Sequence, residues 1–306
     1  MKNIIIDTDP GHDDALAIML MVKSGLFNIL ALTTVAGNSA IENVTRNAAY
    51  ILDLLGRRDI PVFAGREKPL KRSLTSANVH GDNGLDGVDT SKIKFAVNHD
   101  ASKHIIRLVS DYAGDVVLLA LGPLSNIARA FLEDRSLPLK ISKIIMMGGA
   151  IDVPGNKNRV AEFNMFVDPE AADIVFKSKA KKILIPLDAC NNSPLFMSDF
   201  EKINGSSLYR PIMNMMKKFI TGIEKYEGTK GALVYDAIAA YYLLNPKAFI
   251  TQPMDVIVET KGEYTRGMTV AEKRISEKKM YNMKVVIKVD VTRFKKDLTT
   301  ILKNKL

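Results

Sequence analysis

Short apolar runs rich in Ile, Leu and Val alternate with stretches of helical character along most of the chain, and this alternation restricts the fold more than any other feature. "NIIID" leads into a helical stretch over residues 13–23, "FNILALTTV" into "IENVTRNAAYILDLLG", "DVVLLAL" into "PLSNIARAFL", "SKIIMMGG" into "DPEAADIVFKS", and "KKILIPLD" into further helices. Continuously apolar strands are buried on both faces, and the strand-helix-strand rhythm joins such strands in parallel. The pattern predicts an α/β chain with a mostly parallel central sheet flanked by helices, Rossmann-like in plan. Helix ends agree: Asp168 and Pro169 stand at N-cap and N1 before "EAADIVF", and Gly56 closes the helix ending at Leu55. "ALAIMLMV" is apolar all round, which places that helix inside the sandwich. Residues 193–244 read as mostly helical, "VIVET" and "MKVVIKVD" as late strands, and the chain ends in a basic helix. With no linker, repeat or low-complexity segment, one domain over residues 1–306 is the expectation.

Ligands in open α/β sheets bind beyond the carboxyl ends of the strands, so the loops that follow strands carry the chemistry. "DTDPGHDD" follows "NIII" and crowds Asp7, Asp9, Asp13 and Asp14 together. Such carboxylates repel one another in a cleft unless a cation or hydrogen-bond donors compensate. N-capping accounts for one or two of them, since Asp13 and Asp14 stand at a helix start, but not for all four. Carboxylates without Cys and with little His select a hard, oxygen-liganded ion, Ca²⁺ or Mg²⁺ before zinc.

Other loops add to this site. Asn38 in "AGNSAIENV" lies at the same sheet edge, although by itself it reads as a turn residue or helix cap. "NVHGDNGLDGVD" fails as an EF-hand calcium loop, which would need Asn or Asp at Gly84 and Glu at Ile93. His80 within it reads, as a lone loop histidine, more readily as solvated than as functional. The long connection "GGAIDVPGNKNRVAEFNMFVDPEAA" carries Asn156, Glu162 and Asn164, groups suited to vicinal hydroxyls, beside Phe163 and Phe166. Asp236 interrupts the apolar run "VYDAIAAYY", and a buried carboxylate there needs a partner, such as a metal shared with the first loop.

Net charge of +9 and a pI of about 9.4 raise the question of nucleic acid. The basic residues are scattered, however, and Trp is absent, so solvated helix faces explain them better than a nucleic-acid groove. The one cysteine, Cys190, excludes an intramolecular disulfide and suits a reducing compartment. No apolar run is long enough for a membrane helix, and "MKNIIID" lacks the features of a signal peptide; the cytoplasm is the expected location.

Together these segments resemble the nucleoside hydrolase family of the inosine-uridine type, which cleaves the N-glycosidic bond of ribonucleosides. "DTDPGHDDALAI" is similar to the family's N-terminal signature, and "AEFNMFVDPEAA" with its upstream "MMGG" and "GN" is similar to its ribose-binding segment. The resemblance implies that Asp9, Asp14, Asp236 and the main-chain carbonyl of Leu121 hold Ca²⁺, with Asp9 also activating water. It implies that Asp13, Asn38, Asn156, Glu162 and Asn164 hold the ribose hydroxyls, with Met147 beside the sugar. Asp7 is left with a supporting role. A homo-oligomer, dimer or tetramer, is implied as well. The family's usual histidine before the last metal aspartate is Tyr235 here, so assistance to the departing base falls to His80, Tyr235 or Tyr226. His80 matches a base-side histidine of pyrimidine-preferring members, which favours uridine or cytidine over purine nucleosides. Two rival readings remain. A haloacid-dehalogenase-like phosphohydrolase fits "IIIDTDPG" except at Gly11 and leaves Asp13 and Asp14 unexplained; a nonenzymatic nucleoside-binding protein fits the basic pI and Tyr235.

Overall fold

The computed structural model describes residues 1–274 and 280–304. The chain begins with β1 (Lys2–Thr8), α1 (His12–Ser24), β2 (Phe27–Thr34), α2 (Ile41–Leu54), β3 (Val62–Ala64), α3 (Ala101–Asp111), β4 (Val116–Ala120) and α4 (Ser125–Glu133). It continues through α5 (Leu137–Lys140), β5 (Lys143–Met147), α6 (Phe163–Val167), α7 (Pro169–Lys177), β6 (Lys182–Ile185), α8 (Leu187–Cys190) and α9 (Met197–Glu201). The last part comprises α10 (Tyr209–Glu227), α11 (Tyr235–Leu244), β7 (Phe249–Met254), β8 (Val256–Val258), β9 (Thr269–Ala271), β10 (Met283–Val289) and α12 (Val291–Lys303).

Among the described residues the main sheet runs β3, β2, β1, β4, β5, β6, β10, β7, parallel throughout except for β7. Successive side chains leave a strand on opposite faces, so an uninterrupted apolar run feeds two cores at once. Ile4 and Ile6 of β1 enter one core and Ile5 the other; Val117 and Leu119 of β4 oppose Val116 and Leu118 in the same way. This is why the core strands carry no polar alternation.

Three edge features depart from the sequence expectation. "FITQPM" forms the antiparallel edge strand β7, whose polar residues and Pro253 are tolerated because that side of the strand has no ladder to complete. The segment "VIVET" contributes only β8, which pairs with β9 in a separate two-stranded sheet. The short strand β3 follows Pro61. The helix ends match expectation: the Asp168 side chain accepts from the Ala171 N–H at 3.0 Å, and Gly56 adopts φ +66°.

Strand order reverses between β1 and β4, the place where such sheets open a crevice at their carboxyl edge. Helix α1 is buried from His12 to Val22 and packs against α11. Both helices begin at this crevice, so their first turns bring Asp13, Asp14 and Asp236 together, where helix dipoles favour negative charge. Among the described residues no helix is long and apolar enough to cross a membrane.

Candidate active site

Asp13, Asp14 and Asp236 offer carboxylate oxygens that all lie within 4.8 Å of one another, and all three residues are buried. Asp14 is held by its surroundings: Thr8 Oγ1 donates to Oδ1 at 2.5 Å, and the Gly11 N–H and Asn38 Nδ2 donate to Oδ2 at 3.0 and 3.1 Å. The Gly11 contact is one half of a capping box. Asp9, just past β1, accepts from the Asn38 N–H at 2.7 Å. Burial, with Asp14 next, pushes the Asp9 carboxyl well above the ordinary range, and burial followed by Asp13 does the same to Asp236. Burial, then Asp14, raises Asp13 to about 8. Asp7 lies behind them; its Oδ1 accepts from Thr33 Oγ1 and Asn126 Nδ2 at 2.6 and 2.8 Å, and its Oδ2 has no partner among the described residues.

One cavity of about 240 Å³ is lined by Asp9, Asp13 and Asp236 and also by Asn38, Leu121, Met147, Asn156, Glu162 and Asn164. Glu162 caps α6, accepting from the N–H groups of Asn164 and Met165 at 2.9 and 3.2 Å and from that of Gly149 at 3.0 Å; burial raises it to about 7. Asn164 Nδ2 donates to the Leu121 carbonyl at 2.7 Å, which still has a second lone pair to offer. Asn156 Oδ1 accepts from the Phe163 N–H at 2.9 Å. Side-chain and backbone groups from the ends of β1, β4 and β5 thus meet those of the 148–168 connection.

The opposite wall comes from the 77–80 loop and α10. His80 is 5% exposed, which corrects the expectation that a lone loop histidine is solvated. Its ring packs in a cluster with those of His12 and Phe219, centroids 5.3 and 5.1 Å away, and those two rings lie 5.0 Å from each other. His12 Nε2 lies 2.9 Å from the Asp86 carbonyl, which can only accept, so the proton sits there and leaves Nδ1 bare. His80 Nδ1, 3.0 Å away, then donates to it; the 3.3 Å approach of the His12 N–H to the same nitrogen is the weaker claim. His80 Nε2 is left facing Asp13 Oδ1 at 4.0 Å. Burial, then His12 beside it, holds the His80 imidazole well below its ordinary range. The Tyr235 hydroxyl donates to Asn191 Oδ1 at 3.3 Å, and burial, then Glu227 nearby, pushes its phenol well up. Tyr226 sits at the rim, 51% exposed.

The cavity therefore gathers every ribose-side and base-side residue that the sequence singled out, and Asp14 stands behind Asp13 and Asp236. Sequence reasoning missed Phe219, Ile223 and Glu227, which recur at i, i+4 and i+8 on one face of α10, and it missed His12 as the partner of His80. The α10 periodicity was the one signal to be had; it looks the same for a helix that faces solvent or core.

A family model described as inosine-uridine preferring nucleoside hydrolase matches residues 4–296. The chain belongs to that family. A pyrimidine-specific ribonucleoside hydrolase RihA from Shewanella woodyi is 39% identical over 300 residues, covering 96% of this chain and 95% of that one. Its counterpart from Salmonella paratyphi C is 37% identical over 294 residues, 94% of each. Among solved structures, a plant nucleoside hydrolase, PpNRh1, superposes with a TM-score of 0.93 at 29% identity, covering 99% of both chains. A purine-preferring ribonucleoside hydrolase from Gardnerella vaginalis does so at 0.90 and 30%, covering 99% of this chain and 98% of that one. The protein is a ribonucleoside hydrolase, an N-glycosidase of nucleoside catabolism, which displaces the phosphohydrolase and nonenzymatic readings.

The nucleoside hydrolase's acidic cluster fits a metal ion by its donor chemistry. Its carboxylates are buried, no Lys or Arg among the described residues pairs with them, and the ordinary compensation for such crowding is a cation. All-oxygen donors match a hard ion.

Proposed function

We propose that this nucleoside hydrolase cleaves pyrimidine ribonucleosides, cytidine and uridine ahead of purine nucleosides, to free base and ribose. The carrying observation is that the carboxylates Asp9, Asp13 and Asp236 share one cavity with Asn38, Asn156, Glu162 and Asn164, a polyol-binding set. The pyrimidine preference is supported by the higher identity to pyrimidine-specific relatives and by His80 in the cavity wall. In this reading residues 1–306 act as a single catalytic domain in the cytoplasm, assembled as a dimer or tetramer.

Asp9, Asp14, Asp236 and the Leu121 carbonyl would hold Ca²⁺. When bound, the ion supplies Lewis acidity toward the attacking water and the sugar hydroxyls. Asp9, steadied through Oδ2 by the Asn38 N–H, keeps Oδ1 to take the proton from water. Asp13, Asn38, Asn156, Glu162 and Asn164 hold the ribose, with Met147 against the sugar. As the C1′–N bond breaks, positive charge spreads over the ring, and these acceptors stabilise it more than they do the neutral ground state. Because Asp9 is aimed at water and not at C1′, the reaction inverts configuration in one step. His80 and Tyr235, both in the base-side wall, are the groups placed to assist the departing base.

The test is a reducing-sugar assay on cytidine, uridine, inosine and adenosine, with Ca²⁺ and with chelator. Ribose release that is fastest from the pyrimidine nucleosides and abolished by chelator is expected. No ribose from any of the four would overturn the reading.

A further inference from the structure

The wall supplied by α10 contains a carboxylate that the chemistry described so far leaves without a task. Glu227 lines the cavity on the same helical face as Phe219 and Ile223, and among the described residues it has no hydrogen-bond or ion-pair partner. Burial holds its carboxyl above the ordinary range. Lys157, which also lines the cavity, donates through Nζ to the Ser76 carbonyl at 3.3 Å and lies over the Phe163 ring. A base donor that displaces water from this half-buried carboxylate would make a charge-assisted hydrogen bond with it. The same wall also presents the Asn78 amide, the His80 imidazole and the Tyr226 and Tyr235 hydroxyls, and Glu227 is the carboxylate among them, a group that as an anion can only accept.

We propose that Glu227 recognises the exocyclic amino group of the nucleobase and makes this enzyme select cytidine over uridine, an inference that rests on the nucleoside hydrolase reading of the cavity. Cytosine presents N4–H₂, a donor with two hydrogens, to a carboxylate that can only accept. Uracil presents a carbonyl oxygen at the same position, acceptor against acceptor, and its N3–H is flanked by two such oxygens. A site with a fixed acceptor rejects the analogue that lacks the donor. The Tyr235 hydroxyl donates to Asn191 and keeps lone pairs that accept equally well from a base donor, so the Glu227 variants are what separate the two groups.

The experiment compares kcat/KM for cytidine and uridine in the wild type, Glu227→Gln and Glu227→Ala, each ratio being taken within one preparation so that any loss of folded protein cancels. A hydrogen bond to a charged group predicts a wild-type preference for cytidine of roughly tenfold or more. In Glu227→Gln, whose amide can also donate to the uracil carbonyl, the ratio should collapse toward one; Glu227→Ala should fall between. With N4,N4-dimethylcytidine, which lacks the amino hydrogens, the wild type should lose its advantage over Glu227→Ala. A wild-type preference for uridine, or a ratio unchanged within about twofold in both variants, would overturn the assignment while leaving the nucleoside hydrolase reading intact. Failure of the wild type to release ribose from either nucleoside would instead sink that reading.

Discussion

Asp9 is packed where its neighbours have no room for a side chain. A Cβ at Gly37 would collide with Asp9 Oδ2, and one at Gly122 would come 2.5 Å from Oδ1, so two close backbone approaches fix the carboxylate from both sides. Neither glycine has a positive φ; room, not backbone freedom, is what glycine supplies there. Asp9→Asn keeps an acceptor for the Asn38 N–H and keeps the shape, but it removes the charge and the proton-accepting power. Loss of a general base costs roughly 10²–10⁴-fold. The variant should therefore lose at least about a hundredfold in kcat on cytidine and uridine alike, because both substrates use the same water and the same base for it. A single-turnover assay checks this, and a rate within about threefold of wild type would remove Asp9 from the role.

At the scale of elements, what was legible in the sequence depended on how many constraints a segment carries. The strands β1, β2, β4, β5 and β6 are buried on both faces, so composition alone betrays them. Edge strand β7, with exposed Ile, Gln and Pro positions, carries only half of that signal, and β3 is too short to carry any. The acidic loop and the 148–168 connection were legible because polar groups crowded between apolar runs are costly to bury unless a ligand or a partner compensates them. Helix α10 was not: Phe219 and Ile223 look like ordinary core positions, and Glu227 like an ordinary surface residue, until the cavity opposite them is seen. The cap at Asp168 shows the same logic on the stability side. Its Oδ1 accepts from the Ala171 N–H, while Oδ2 accepts from the Leu70 N–H at 2.8 Å and Ser125 Oγ at 2.6 Å, tying α7 to α4 and to the loop before α3. Asp168→Ala removes a helix cap worth about 0.5–2 kcal/mol and strands buried donors at roughly 1–3 kcal/mol each. The expected outcome is a fall of about 2–4 kcal/mol in urea unfolding, with KM for cytidine unchanged. A shift in KM without a loss of stability would show that Asp168 belongs to the site after all.

For the whole molecule, the buried acids link folding to pH and, through the ion proposed for them, to calcium. Burial raises Asp7 and Glu162 to about 7 and, with Asp14 beside it, Asp13 to about 8, against ordinary values of 3.8 for the aspartates and 4.5 for the glutamate. Between those limits the folded chain binds more protons than the unfolded one, so the unfolding free energy decreases as pH rises. In chelator, the melting temperature should accordingly fall as pH is taken from 5 to 8. On the proposed assignment, calcium binds the ionised carboxylates of the folded state and not the dispersed ones of the unfolded chain. It therefore stabilises by mass action, about 2.7 kcal/mol at a hundredfold excess over Kd. Protons compete for the same oxygens, which makes the gain from calcium largest at pH 8 and smallest at pH 5. Asp7 lies behind the cluster with one oxygen unpartnered among the described residues, so a part of the downward slope should survive saturation with calcium. Scanning calorimetry across that pH range, with calcium and with chelator, checks both slopes; a calcium-induced shift in melting temperature that is absent, or that grows toward acid pH, would mean that the aspartates at the head of α1 and α11 do not hold the ion.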